Sequence, residues 1–152
     1  VGVPDRPGMA AAIFQAVADA GINMDMIVQN VSVHESGATD VTFTCPRGDA
    51  AKAELALRRI EKDVNFKDID TDENIAKISL VGAGMRSHPG VSATFFKAIA
   101  DAGVNVEMIS TSEIRISVVT RADDADKAVT AIHTAFGLDA DGEAVVYGGT
   151  GR

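Results

Sequence analysis

The feature that most constrains this chain is a ten-residue segment that occurs twice at a fixed spacing. The segment ADAGINMDMI at 18–27 returns as ADAGVNVEMI at 100–109, and the same offset of 82 residues places Pro7-Gly8 on Pro89-Gly90. Matched or conservatively changed residues over such a length indicate an internal duplication. The chain is therefore predicted to fold as two related modules.

The two modules, 1–73 and 74–152, show the same pattern of apolar residues. A short apolar strand leads through a Pro-Gly turn into a helix whose apolar residues recur at i, i+3, i+4 and i+7. Gly21 and Gly103 follow at the place where a helix ends on a left-handed residue. A hairpin, a second helix and a last strand complete the order βαββαβ. This order predicts the α+β class: two tandem ferredoxin-like modules, each an antiparallel sheet with helices on one face.

The bounds of the predicted helices and strands follow from the periodicity of apolar residues and from turn residues. The first helices bury Ala10, Ile13, Phe14 and Val17 in copy one, and Phe95, Phe96 and Ile99 in copy two. The N-cap of the second helix is predicted to be Asp49 in copy one and Asp123 or Asp124 in copy two. The buried residues of this helix are predicted to be Ala53, Ala56, Leu57 and Ile60 in copy one, and Ala128, Val129, Ile132 and Phe136 in copy two. Strands are predicted at 1–3, 23–31, 39–44 and 66–69, and at 78–81, 105–110, 114–120 and 144–147.

The hairpin turn of the first module, around Glu35-Ser36-Gly37, is longer than that of the second module, near Thr111-Ser112-Glu113. The two modules therefore need not bind the same ligand.

Composition excludes several classes of partner. The net charge of −8, with one Tyr and no Trp, provides neither a basic face for phosphates nor an aromatic platform for bases, so no nucleic acid is expected. No apolar run approaches the ~20 residues that span a bilayer, and the start of the chain has no signal-peptide pattern. Cys45 is the single cysteine, which excludes an internal disulfide and fits a cytoplasmic location. The chain starts without Met inside a predicted strand, so residues upstream of Val1 are expected.

The residue pattern contains no catalytic or metal-binding motif. His34, His88 and His133 are far apart, and none has a Cys or carboxylate at metal-ligand spacing, although a Cys45–His pair could still form in space. The run Gly82-Ala83-Gly84 follows a strand, but the helix begins too late for a dinucleotide fingerprint, and no Walker-type loop occurs. We expect no metal and no cofactor.

The Pro-Gly turns are the most informative places for function. The segments 4–10 and 86–92 lead into helix N-termini, where unpaired backbone N–H groups and a positive dipole end receive a carboxylate. Pro-Gly is also ordinary helix-start chemistry, so this pattern alone leaves both interpretations open.

Polar residues of the second strand suggest a partner for an ammonium group. Asn23 and Asn105 open this strand, and an Asn amide both donates and accepts. Gln29 and Thr111 follow further along it, while Asp25 and Glu107 either add charge or are solvated strand residues. A carboxylate site combined with an ammonium site fits a free α-amino acid.

These motifs resemble the ACT domain, a regulatory domain that binds small molecules. Typical of this domain is the pattern PDRPGxxxxIF followed by ADAGINxDMIxQN. The C-terminal region of aspartate kinases is similar to three further segments of this chain: SLVGAGM, SHPGV and ISTSEIRIS. The likeness is closest to the lysine- and threonine-sensitive kinases of actinobacterial type. In that family the regulatory segment also exists as a separate small (beta) subunit paired with a full-length catalytic subunit.

The resemblance implies feedback control of the first phosphorylation step in the synthesis of lysine, threonine and methionine. It implies a homodimer through the ACT modules, and a chain that is not an enzyme by itself because the kinase domain is absent. It places effectors between the first module of one chain and the second module of its partner. One site would use Asp5, Gly8, Met9, Ala10 and Gln29, facing Asn105 and Val106; its pseudo-equivalent would use Ser87, Gly90, Ser92 and Ser112, facing Asn23, Met24 and Asp25. Threonine is expected at the first site, and lysine at the second or elsewhere.

Two other functions stay open on the sequence alone. The chain could be a stand-alone ACT amino-acid sensor that acts through another protein partner. It could also be an enzyme in its own right, because fold alone does not exclude catalysis. Modules of roughly 70 residues bury little surface, so pairing of sheets side by side or edge to edge is expected in each case.

Overall fold

The computed structural model describes residues 1–31 and 37–139, with the backbone alone at Arg86. The chain divides into two compact units, Val1–Glu73 and Asn74–Arg152. In order, the first unit contains β1 (Val3–Pro4), α1 (Met9–Asp19), β2 (Asp25–Val31), β3 (Ala38–Thr44), α2 (Ala50–Arg59) and α3 (Glu61–Val64). The second contains β4 (Ile75–Val81), α4 (Gly90–Asp101), β5 (Met108–Thr111), β6 (Arg115–Arg121) and α5 (Ala125–Ala135). Among the described residues, no helix is long and apolar enough to cross a membrane.

Each unit has a three-stranded antiparallel sheet with its third strand in the centre. The strand orders are β1-β3-β2 and β4-β6-β5. In the first sheet, Val3 lies opposite Thr39 and Gln29 lies opposite Val41. The first and second strands of each unit therefore run the same way on either side of the third, which is the split-βαβ arrangement. The predicted α+β, ferredoxin-like arrangement of each unit is confirmed.

The helices cover one face of each sheet, as their apolar spacing predicts. Ile13 and Val17 of α1 are buried in the first core, and Phe95 and Ile99 of α4 are buried in the second. Phe95 meets Phe96 edge to face, with ring centroids 5.3 Å apart. Such an arrangement adds to the stabilisation that comes from burial alone.

The first helix of each unit ends in the same way. Gly21 and Gly103 have φ values of 70° and 68°. In the first unit, Gly21 N–H donates to the Ala18 carbonyl at 2.8 Å and Ile22 N–H donates to the Val17 carbonyl at 3.3 Å. These two bonds form a Schellman motif, which closes the helix and turns the chain toward the second strand.

The last strand is the main difference from the predicted architecture. Residues 66–69 form no strand, although Phe66 is buried and Lys67 N–H donates to the Val1 carbonyl at 2.9 Å. This segment thus lies beside the start of the chain, but β1 is only two residues long and offers it no ladder. The strand predicted at 144–147 lies outside the described residues, as does most of the first hairpin turn.

The hairpin turn of the second unit is short, as predicted: Ser112 N–H donates to the Arg115 carbonyl at 2.7 Å.

Two predictions about the second helices are wrong in part. Asp49 and Asp124 occupy the N-cap positions, but neither side chain makes a capping hydrogen bond, because a 3-10 turn precedes each helix and already has helical backbone angles at these residues. Val129 is exposed rather than buried, whereas its neighbour Ala128 is in the core. A helix over a small sheet buries a narrow stripe, and Val129 lies outside that stripe.

The helix end at Gly21 leads to a stability prediction. We expect Gly21→Ala to lower the free energy of unfolding by about 1 kcal/mol, because a Cβ disfavours the left-handed conformation. Crowding is not the cause, since the nearest atom to such a Cβ would be Lys52 Nζ at 3.9 Å. Urea titration measures the loss. Gly48→Ala is the control, because Gly48 has no positive φ and nothing lies within 4 Å of its Cβ position; an equal loss in both variants would contradict the explanation.

Candidate small-molecule site

A cavity of about 340 Å³ lies in the first unit, between the turn that precedes α1 and the sheet. Gln29 enters it from β2 and faces the same side of the sheet as its register partner Val41, which packs against the first core. The lining residues are Val3, Pro4, Asp5, Arg6, Pro7, Gly8, Met9, Ala10, Gln29, Thr39 and Val41. Five residues of the predicted first site, Asp5, Gly8, Met9, Ala10 and Gln29, are thus brought together.

The turn before α1 is fixed by its own backbone hydrogen bonds and leads directly into the helix beside this cavity. Asp5 N–H donates to the Gly37 carbonyl at 3.1 Å, which fixes the turn against the start of β3. Gly8 then has a φ of 93°, a conformation that favours glycine, and α1 begins at the next residue. Met9 N–H donates to the Arg6 carbonyl at 3.4 Å and Ala12 N–H donates to the Gly8 carbonyl at 3.0 Å. The helix geometry gives the N–H groups between them, at 10 and 11, no intrahelical acceptor. An anion in the cavity would meet these donors and the positive end of the helix dipole.

The polar side chains of the cavity include a negative and a positive group, and they include both hydrogen-bond donors and acceptors. Asp5 and Arg6 are exposed neighbours on the turn and provide a carboxylate and a guanidinium. Gln29 Nε2 lies 3.3 Å from Thr39 Oγ1 and donates to it. Arg6 lies in the segment 4–10 that the sequence singles out but is absent from the predicted site residues, and Thr39 is missed altogether. Thr39 comes to the cavity only through the pairing of β3 with β1, which a single sequence does not reveal.

The predicted residues Asn23, Met24 and Asp25 lie at the opposite end of the same sheet. Asp25 pairs with Thr44 at the end of β3, whereas Asp5 is bonded beside the start of that strand. β3 has seven residues, so roughly 20 Å separate its ends. Asn23 is exposed there, and Met24 packs against the first core. These residues cannot reach the cavity of their own unit.

The carboxylates of Asp25 and Glu107 have partners within their units. Asp25 Oδ1 accepts the Met26 N–H at 2.8 Å, and Met26 has a φ of 45° in a buried bulge of β2. Glu107 Oε1 lies 3.4 Å from Arg121 Nη1. Both carboxylates contribute to the local structure at the start of the second strand.

The residues of the predicted second site lie around the N-terminal end of α4 and the short hairpin. Ser87 Oγ is 3.1 Å from His88 Nδ1, and this ring nitrogen is 2.9 Å from the Gly84 carbonyl, to which it donates. Gly90 is the first residue of α4, and Ser92 is exposed in its first turn. Gly82 N–H donates to the Ile114 carbonyl at 2.9 Å, which holds the turn containing Ser112 beside the end of β4.

The predicted residues Asn105 and Val106 lie between α4 and β5. Asn105 is exposed, while Val106 packs against the second core. Their position matches that of Asn23 and Met24 in the first unit, since the duplication places Asn105 on Asn23.

Comparison with known proteins assigns the family. ACT domain profiles match residues 1–65 and 78–136. The solved structure of aspartokinase alpha and beta subunits is similar, with 45% identity and a TM-score of 0.80 over 90% of this chain and 88% of that one. The ligand-free regulatory subunit of aspartate kinase from Thermus thermophilus has 43% identity and a TM-score of 0.78 over 90% and 89%. The chain belongs to the aspartokinase regulatory family.

The curated relatives of this regulatory chain are longer than it is. The aspartokinases of Mycolicibacterium smegmatis and Mycobacterium tuberculosis (strain H37Rv) are 55% and 57% identical to it over all 152 residues, and the chain spans 36% of the length of each. The predicted resemblance to paired ACT domains of aspartate kinases is confirmed.

The single cysteine does not have the surroundings of a reactive thiol. Burial raises the pKa of the Cys45 thiol, and the charge of Asp49 raises it further. His88 is bonded to Gly84, His133 is exposed on α5, and His34 lies outside the described residues. Among the residues that the structure describes, no group of three His, Cys, Asp or Glu side chains could hold a metal ion.

The raised pKa predicts slow alkylation of Cys45. The thiolate is the reactive form, so a raised pKa lowers the rate at any pH below it. Asp49→Asn removes one of the two causes, and we expect iodoacetamide at pH 8 to react about twofold faster with this variant. Glu54→Gln, a charge change elsewhere on α2, is the control and should leave the rate unchanged; an equal increase would show that Asp49 has no specific effect.

Proposed function

We propose that this chain is the part of an aspartokinase that senses a free amino acid, with threonine as the effector of the first unit. The observation that carries the proposal is the cavity in which Asp5, Gly8, Met9, Ala10 and Gln29 meet. Its volume of about 340 Å³ is at the lower end of the range for ligand pockets and suits a small amino acid.

The chemistry of the cavity suits a zwitterion. The amides of the first turn of α1 offer donors to the α-carboxylate, and Arg6 offers it a positive charge. The carboxylate of Asp5 is the complementary group for the α-ammonium. The threonine hydroxyl is both a donor and an acceptor, so it can bond to the carboxamide of Gln29.

The proposed site is completed by groups from outside the first unit. Asn23 is roughly 20 Å of strand away from the cavity of its own unit. We propose that Asn105 and Val106 of a second chain complete the first site, and that Asn23, Met24 and Asp25 of a second chain complete the one formed by Ser87, Gly90, Ser92 and Ser112. Lysine is the proposed second effector, at that second site or elsewhere in the assembly.

Regulation follows from binding across chains. An effector held between two chains stabilises whichever arrangement binds it more tightly, and only this difference shifts the equilibrium. We propose that the partner is a catalytic aspartokinase subunit, and that the effect is feedback inhibition of aspartate phosphorylation. Co-purification with a longer homologous chain supports this partner, whereas co-purification with an unrelated protein alone supports a stand-alone sensor.

The two variants Gln29→Ala and Asn105→Ala test the site. We expect each to weaken threonine binding about tenfold or more, because each removes a polar group that contacts the ligand, while the melting temperature without ligand changes little. Calorimetric titration with threonine gives the affinity, and thermal shifts against the twenty amino acids give the ligand preference.

The matched control is Gln15→Ala. Gln15 is exposed on α1, outside the cavity, and its Nε2 donates to Asp19 Oδ1 at 2.7 Å. This variant should bind threonine as the parent chain does. If Gln29→Ala and Asn105→Ala also bind threonine with unchanged affinity, the site assignment is wrong.

A further inference from the structure

Thr39 is a buried hydroxyl at the floor of the cavity. The residue is only 5% exposed, although it lines the cavity together with Gln29. It lies on the central strand β3, directly opposite Val3 of β1 on one side and Val31 of β2 on the other. Its backbone is therefore fixed by strand pairing on both sides.

The hydroxyl of Thr39 links Gln29 to the backbone. Thr39 Oγ1 donates to the Val3 carbonyl at 3.4 Å, and it accepts from Gln29 Nε2 at 3.3 Å. Both distances are long, so each bond is weak by itself. The hydroxyl has a single proton, so while it donates to the Val3 carbonyl it can only accept from Gln29 Nε2.

This direction determines which end of the Gln29 carboxamide is available. The NH₂ group is turned toward Thr39 Oγ1, which engages one of its two protons, so Oε1 is the end of the amide that faces away from Thr39. A carboxamide that could rotate would present a donor or an acceptor equally well. One held in this way favours a ligand group that donates, such as an ammonium or a hydroxyl, over a carboxylate.

We infer that Thr39 is a positioning residue of the effector site: its hydroxyl orients the carboxamide of Gln29 so that Oε1 faces the donor group of the bound amino acid. The inference rests on the proposed function of the cavity. Thr39 acts through Gln29 and need not touch the ligand.

A double-mutant cycle on the full chain tests this role, with threonine as the titrant. We expect Thr39→Val, which removes the hydroxyl and keeps the shape, to weaken threonine binding about three- to tenfold. Thr39→Ser keeps the hydroxyl and should bind within about twofold of the parent chain. In the Gln29→Ala background, Thr39→Val should cause no further loss of affinity, because the group that it orients is already absent. Thr39→Ala replaces Thr39→Val if the latter does not fold.

The control is Thr120→Val in the second unit. Thr120 is also buried on a central strand and its hydroxyl donates to a backbone carbonyl, that of Arg121 at 3.2 Å. This variant should leave threonine affinity unchanged. Equal losses from Thr39→Val with and without Gln29, or a loss in Thr120→Val as large as in Thr39→Val, would overturn the inference. If Gln29→Ala itself binds threonine normally, the proposed function fails instead.

Discussion

The central strand of each sheet lies between two strands that run the same way, and this pairing decides where each candidate ligand residue lies. In the first unit, the turn before α1 is bonded beside the start of β3, and the segment that opens β2 pairs with its end. The two polar clusters are consequently separated by the length of the strand. A site that needs both clusters cannot form inside one unit, which is why we propose that a second chain completes each of the two sites.

The proposed first site depends on the same helix that stabilises the first unit. The apolar stripe of α1 fixes the helix on the sheet through Ile13 and Val17, and this packing aims the first turn of the helix at the cavity. The dipole contributes about 0.3–1 kcal/mol to an anion there, so selectivity must come mainly from side chains such as Asp5 and Gln29. In the proposed mechanism, effector binding changes the preferred arrangement of two chains without rebuilding either core, because packed cores resist continuous deformation.

The sequence predicts those parts of the structure that depend on local chemistry. The helix end at Gly21 and the position of the turn residues before α1 could be predicted, because each follows from a local requirement of the backbone. The strand at 66–69 could not be excluded, because its absence depends on how little of β1 is there to pair with it. The exposure of Val129, the bulge at Met26 and the role of Thr39 also escaped prediction, since each depends on the width or pairing of a sheet that is known only after folding.

The central claim is that one effector site is built from two chains, and subunit complementation tests it most directly. Gln29→Ala and Asn105→Ala chains are refolded together, and threonine binding is measured by calorimetry. A shared site predicts that the mixture regains wild-type affinity at about one quarter of the sites, since half of the dimers are mixed and each mixed dimer has one intact site. If the mixture binds threonine no better than the separate variants, the site is not shared between chains.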